Sequence, residues 1–89
     1  MALQIINAGP EPEEVAGRIR EAIEAALPDA RIEVLPRGPG HFELTVTDAG
    51  FEGLSRVKQQ QRVYAAITEL MSGPNAPVHA IDRLECRVP

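Results

Sequence analysis

Residues 40–64 read GHFELTVTDAGFEGLSRVKQQQRVY, and the spacing of their apolar residues changes midway. Phe42, Leu44 and Val46 alternate with His41, Glu43 and Thr45, the two-residue period of a strand with one buried face. From Ser55 onward the apolar residues recur at helical spacing instead. Arg56, Lys58 and Arg62 stand there around the glutamine run Gln59 to Gln61. Asp48-Ala49-Gly50 ends the strand, Phe51 is positioned to plug a core, and Ser55 is a suitable cap for the helix. The stretch is a strand-to-helix unit, and the open question is whether it grips nucleic acid, helps hold a metal, or only packs a small domain.

Upstream, Glu13 to Leu27 places Val15, Ile19, Ala22, Ile23, Ala26 and Leu27 at steps of three and four, one apolar stripe of an amphipathic helix. Pro12 suits its first turn, Glu11, Glu13 and Glu14 favour the positive end of the helix dipole, and Pro28 stops the pattern. Arg31 to Leu35 then alternates, with Ile32 and Val34 on one face. Pro36-Arg37-Gly38-Pro39-Gly40 separates it from the strand His41 to Thr47, so the two read as a hairpin. Downstream, the helix from Ser55 carries a predicted stripe of Val57, Tyr64, Ile67, Leu70 and Met71 and stops at Gly73-Pro74. A step of about 100° per residue sets Lys58 and Arg62 opposite that stripe, a solvated face or a contact surface. The last run, Val78 to Val88, fits a third strand, with Val78, Ala80 and Leu84 on one parity and His79 and Ile81 on the other. Its alternation breaks at Asp82-Arg83, as an edge position or a bulge would allow. The fold class is therefore α+β, an α-β-β-α-β sandwich with a three-stranded sheet and helices on one face. Residues 1–10 are expected to form a flexible tail, and 11–89 a single domain.

Composition narrows the function classes. At 89 residues, a single domain buries only about 60% of the surface of its unfolded chain, so the core is thin. The one cysteine, Cys86, cannot form an internal disulfide. The first apolar stretch, Met1 to Ile6, lacks a basic leader and is far shorter than the ~20 residues of a membrane span. A soluble, cytoplasmic protein is the expectation. Formal net charge is −4, which counts against a general nucleic-acid binder, although Ser55 to Tyr64 holds three cations and no acidic residue.

The donors that could carry chemistry are sparse. No Ser-His-Asp spacing, phosphate-binding loop or Cys-x-x-Cys pair occurs, and the carboxylates sit on helix faces, so an enzyme is not expected. His41 opens one strand, His79 opens another, and Cys86 lies near the end. Two neutral imidazoles brought together across a sheet could offer two bonds to a metal while a partner supplies the rest. A lone histidine beside apolar residues is otherwise a packed or surface residue.

These residues also resemble a known family. His41-Phe42, the run from Phe51-Glu52-Gly53-Leu54-Ser55 through Arg62-Val63-Tyr64, and Val78-His79-Ala80 resemble the BolA family, and Arg56-Val57-Lys58-Gln59-Gln60 is most similar to its IbaG branch. The resemblance covers Val15 to Leu84, in order. It implies a fold similar to the class II KH domain and an accessory role in iron–sulfur cluster assembly, trafficking or iron sensing. It further implies a [2Fe-2S] cluster shared with a monothiol glutaredoxin, with that partner and glutathione supplying thiolates and a histidine of the last strand supplying the BolA-side bond. His79 occupies that place. The family's second ligand, a histidine or cysteine, comes from the hairpin loop. Pro36 to Gly40 holds neither, so His41 at the loop's end fills the role or the role is empty. Histidine in place of thiolate on one iron raises a cluster's potential, and imidazole titrates near pH 6.5 in model peptides, so ligation from this side is expected to be pH-sensitive.

No cofactor is expected tightly bound to the isolated protein, which is expected to be a monomer or a weak homodimer. The alternative function is a DNA-binding transcriptional regulator of stress and morphology responses, using the KH-like fold and the basic helix with Arg56, Lys58 and Arg62. Against it, the net charge is negative, and three cations support only weak, salt-sensitive binding. A plain adaptor that docks a protein partner without ligating iron is a third reading.

Overall fold

The computed structural model describes residues 10–89; the expectation of a flexible tail falls on residues outside these, Pro10 excepted. Helix α1 (Pro12–Ala26) begins with Pro12 in its first turn and Glu13 and Glu14 beside the positive end of its dipole. Strand β1 (Arg31–Pro36) turns through the Gly/Pro loop into β2 (His41–Thr47), and the two pair antiparallel from Arg31 opposite Thr47 to Pro36 opposite Phe42. A short 3-10 turn (Ala49–Phe51) follows, capped by the Asp48 carboxylate, which accepts from the Gly50 N–H at 3.0 Å. Helix α2 (Arg56–Ile67) starts on Ser55, whose hydroxyl accepts from the Lys58 N–H at 3.2 Å. It tightens into a 3-10 segment (Thr68–Met71) before β3 (Ala80–Arg87). The sheet order is β1-β2-β3, with β3 parallel to β2.

One core joins the layers. Val15, Ala16, Ile19, Ile23 and Leu27 of the first helical segment meet Val34, Phe42, Leu44 and Val46 of the sheet, closed by Phe51, Val63, Ile67 and Val78. Both helices therefore lie on the same face, as the α+β pattern predicted. The burial of α1 follows the predicted stripe apart from Ala26, which is exposed, while Ala16 takes a place inside.

Helix α2 is rotated from its predicted orientation. Val57 is 61% exposed and Tyr64 37%, whereas Val63 and Ile67 are buried. The reason is polar: Gln59 and Gln60 face inward, where their side-chain amides donate to backbone carbonyls. Gln59 Nε2 donates to the Phe51 and Leu54 carbonyls at 3.0 and 3.2 Å, and Gln60 Nε2 to that of Leu84 at 3.4 Å. These bonds tie the helix to the 3-10 turn and to β3.

Strand β3 has both features that its broken alternation left open. It is an edge strand, and it carries a bulge. Phe42 pairs with Ile81 and Glu43 with Arg83, so Asp82 is the extra residue. The bulge resets parity, placing Ile81 with Leu84 and Cys86 against the core. Ile81 thus lies on the face opposite to the one its position in the sequence predicts, and the strand begins at Ala80 rather than Val78.

Candidate functional site

The hairpin loop and the start of β3 meet at Gly40. The loop closes on itself through Arg37 N–H to the His41 carbonyl at 2.7 Å and His41 N–H to the Gly38 carbonyl at 3.1 Å. Gly38 and Gly40 both adopt the left-handed backbone, with φ of 104° and 79°. The Gly40 carbonyl accepts from two successive amides, His79 at 2.8 Å and Ala80 at 3.1 Å. Residues 79 and 80 are thereby latched to the hairpin tip where the parallel ladder begins.

The His79 side chain lies directly over Gly40. A Cβ on that glycine would stand 2.3 Å from His79 Nδ1 and 2.5 Å from its Cγ. The residue is exposed and sits at one wall of a cleft of about 500 Å³ whose other walls include Pro10, Pro12, Pro39, Pro74 and Pro77. Proline walls are stiff, so the cleft is shaped by backbone rather than by mobile side chains. The imidazole is accessible from outside.

His41 is placed differently. Alternation along β2 puts it on the side opposite the buried Phe42, and it is not among the residues lining the cleft. Its Nδ1 lies 2.9 Å from Asp82 Oδ1, the bulged residue. A carboxylate only accepts, so Nδ1 is the donor of this bond. A carboxylate behind an imidazole is the arrangement that orients histidine ligands. The structure thus latches His79 and orients His41, but directs the two rings to different sides of β2. Among the described residues no group of three or more His, Cys, Asp or Glu converges as a metal site. A metal held here would take most of its ligands from elsewhere.

The three cations of α2 are exposed but do not form one patch. Arg56 lies on the β3 side, beside Arg83, Glu85 and Cys86. Arg62 reaches toward the Asp48–Gly50 turn, and at about 100° per residue Lys58 is on the Arg62 side of the helix. Cys86 faces the core from β3, and burial pushes its thiol pKa up. On the outer sheet face, the Arg87 hydrogen bond, assisted by Arg83, holds the Glu85 carboxyl below the usual range.

Sequence reasoning singled out neither Gly40 nor Asp82. The broken alternation at Asp82 was the one available signal for the second; for the first, nothing in the chain marks a contact between residues 40 and 79.

The profile of the family described as BolA-like protein matches residues 21–87. The chain belongs to the BolA-like family. The human BolA-like protein 1 is 31% identical over 86 residues, a match covering 91% of this chain and 60% of that protein. The chain therefore spans about three-fifths of that relative's length. A protein of the rpoN-murA intergenic region in Acinetobacter guillouiae is 36% identical over 64 residues, covering 72% of this chain and 74% of that one. Among solved structures, mouse BolA1 superposes with a TM-score of 0.68 at 28% identity, covering 97% of this chain and 72% of that one. The BolA domain of SufE1 from Arabidopsis thaliana gives 0.66 at 23% identity, over 93% and 96%, and shares the fold. Among the described residues no helix is long and apolar enough to cross a membrane.

Proposed function

We propose that this BolA-like chain, of the IbaG-like kind, is a cytoplasmic, non-enzymatic accessory protein of iron–sulfur cluster assembly, trafficking or iron sensing. In this reading it shares a [2Fe-2S] cluster, as cargo, with a monothiol glutaredoxin and glutathione. His79 supplies the bond from this side, with His41 as the second candidate donor. The observation that supports it is the exposed His79 imidazole at the wall of a cleft, its backbone latched to Gly40. The donor set fits the cargo: imidazole is an accepted ligand of cluster iron, and so few donors on this chain require thiolates from a partner. A cluster bound through so few bonds can be handed on, and the protein alone, a monomer or a weak homodimer, retains none firmly.

The test is reconstitution with a monothiol glutaredoxin, glutathione and iron, read by absorption and circular dichroism for wild type, His79→Ala and His41→Ala. His79→Ala is expected to alter the visible spectrum or shorten cluster lifetime. An unchanged spectrum and lifetime with His79→Ala, or a stoichiometric cluster on the purified protein without glutaredoxin, overturns the reading.

DNA binding by a transcriptional regulator is the second reading, favoured by one observation: Ser55 to Thr68 presents exposed Arg56, Lys58 and Arg62 and no acidic residue. The separation of Arg56 from the other two around the helix weakens it.

A further inference from the structure

The geometry points to Gly40 as the positioning residue for the His79 imidazole, an inference that rests on reading His79 as the ligand. Three properties of residue 40 converge. Its φ of 79° lies in the left-handed region, which by itself would still admit asparagine or aspartate. Its carbonyl receives the amides of His79 and Ala80, a role any residue could fill. Its missing Cβ is a different matter, because that space is occupied by the imidazole, with Nδ1, Cγ and Cε1 at 2.3, 2.5 and 2.9 Å from where the Cβ would stand. No residue other than glycine satisfies all three.

The contrast within the chain is sharp. Gly38, Gly53 and Gly73 also have positive φ, yet nothing lies within 4 Å of a Cβ built on any of them. There a side chain would strain only the backbone. At Gly40 it would also push the ring away.

The orientation of the ring follows from the same contacts. Nδ1 is the nitrogen nearest the glycine, and Nε2 is not among the three nearest atoms. Gly40 therefore acts as a seat that backs the Nδ1 side of the ring, and Nε2 is the nitrogen farther from that contact. The backbone latch fixes where His79 starts, and the seat fixes which way its ring faces.

The test compares Gly40→Ala with Gly38→Ala, which places the same methyl on a left-handed residue of the same loop without touching the imidazole. In the full chain without metal, only Gly40→Ala is expected to shift the His79 ring resonances in long-range proton–nitrogen spectra. In thermal unfolding, the destabilisation by Gly40→Ala is expected to shrink toward that of Gly38→Ala once His79→Ala has emptied the space. Should Gly40→Ala alone fail to fold, the Gly40→Ala/His79→Ala chain is expected to fold again; a double variant no better than the single one overturns the contact. Equal ring shifts in both glycine variants also overturn it.

With glutaredoxin, glutathione and iron, Gly40→Ala is expected to speed cluster loss by about 10–100-fold, the usual effect of removing a ligand's support, and Gly38→Ala to behave as wild type. If His79→Ala changes the spectrum and Gly40→Ala leaves both spectrum and lifetime intact, the positioning role falls while the ligand reading stands. If His79→Ala changes nothing, the ligand reading falls and takes the positioning role with it.

Discussion

Cys86 is the thiol of this chain, and its neighbourhood argues against reactivity. It packs with Ile81 and Leu84 against the core, and burial raises its pKa. The thiolate is the nucleophile and the metal ligand, so at neutral pH the residue is a small, half-buried hydrophobe. The sign of the pH effect follows directly. The folded state favours the neutral thiol, so this contribution to stability is complete below the ordinary thiol pKa of about 8.5 and is lost as pH rises through the higher folded value. Alkylation by iodoacetamide at pH 7 is expected to be slower on the native protein than on the urea-unfolded chain, and a Cys86→Ala chain is expected to lose less stability between pH 8 and 10 than wild type. Equal alkylation rates would contradict the burial of the sulfur. At this scale the sequence was informative where chemistry is intrinsic to a residue type. The exposed imidazole at position 79 and the buried Phe51 were both legible. The inward glutamines were not, because Gln59 donates to carbonyls of Phe51 and Leu54 that only the folded turn brings within its reach.

The elements were legible at their ends and less so in their rotation. Pro12 and Pro28 bracket α1, the Gly/Pro loop separates β1 from β2, and Ser55 caps α2, because these residue types impose backbone angles or satisfy backbone donors on their own. Which way α2 faces depends instead on competition between Val57 and the two inward glutamines, and that competition is decided by what the sheet offers. Strand β3 shows the same division. Its broken alternation was visible, but placing the extra residue at Asp82 requires the ladder with β2. From that ladder comes a prediction. Deleting Asp82 leaves Ile81 pairing with Phe42 and Arg83 with Glu43, now in continuous register, and keeps Leu84 and Cys86 on the core face. The shortened chain is expected to retain its far-ultraviolet circular dichroism and a single cooperative thermal transition, while His41 loses its carboxylate partner. Loss of cooperative unfolding would show that the bulge, rather than the pairing on either side of it, holds the strand.

Over the molecule as a whole, charge sets the terms on which any polyanion is met. The chain carries a formal net charge of −4, and the outer sheet face pairs its own cations, Arg37 with Glu43 at 3.3 Å and Arg83 and Arg87 with Glu85 at 3.3 and 2.8 Å. Such exposed pairs add little stability, but they engage Arg37, Arg83 and Arg87 with carboxylates of the same face. Lys58 and Arg62 are the two that lie on one side of α2. Binding to labelled duplex DNA is therefore expected to be weak and to fall by about tenfold between ~50 and ~200 mM salt, as neutralising about two phosphates implies. Lys58→Ala/Arg62→Ala is expected to abolish it; a slope several times steeper, or indifference to that pair of changes, would reveal another basic surface.

The parallel pairing of β2 with β3 has a last consequence for when the site comes into being. Neighbours in a parallel ladder must be joined by a long crossover, here the whole of α2 and its flanking turns, so closing it is among the most non-local events in folding. Until β3 has joined β2, glycine and imidazole have not met, and neither a local fragment nor a half-made sheet can imitate their corner. A partner that recognises this corner is in effect inspecting the finished article, and unfinished copies pass it by.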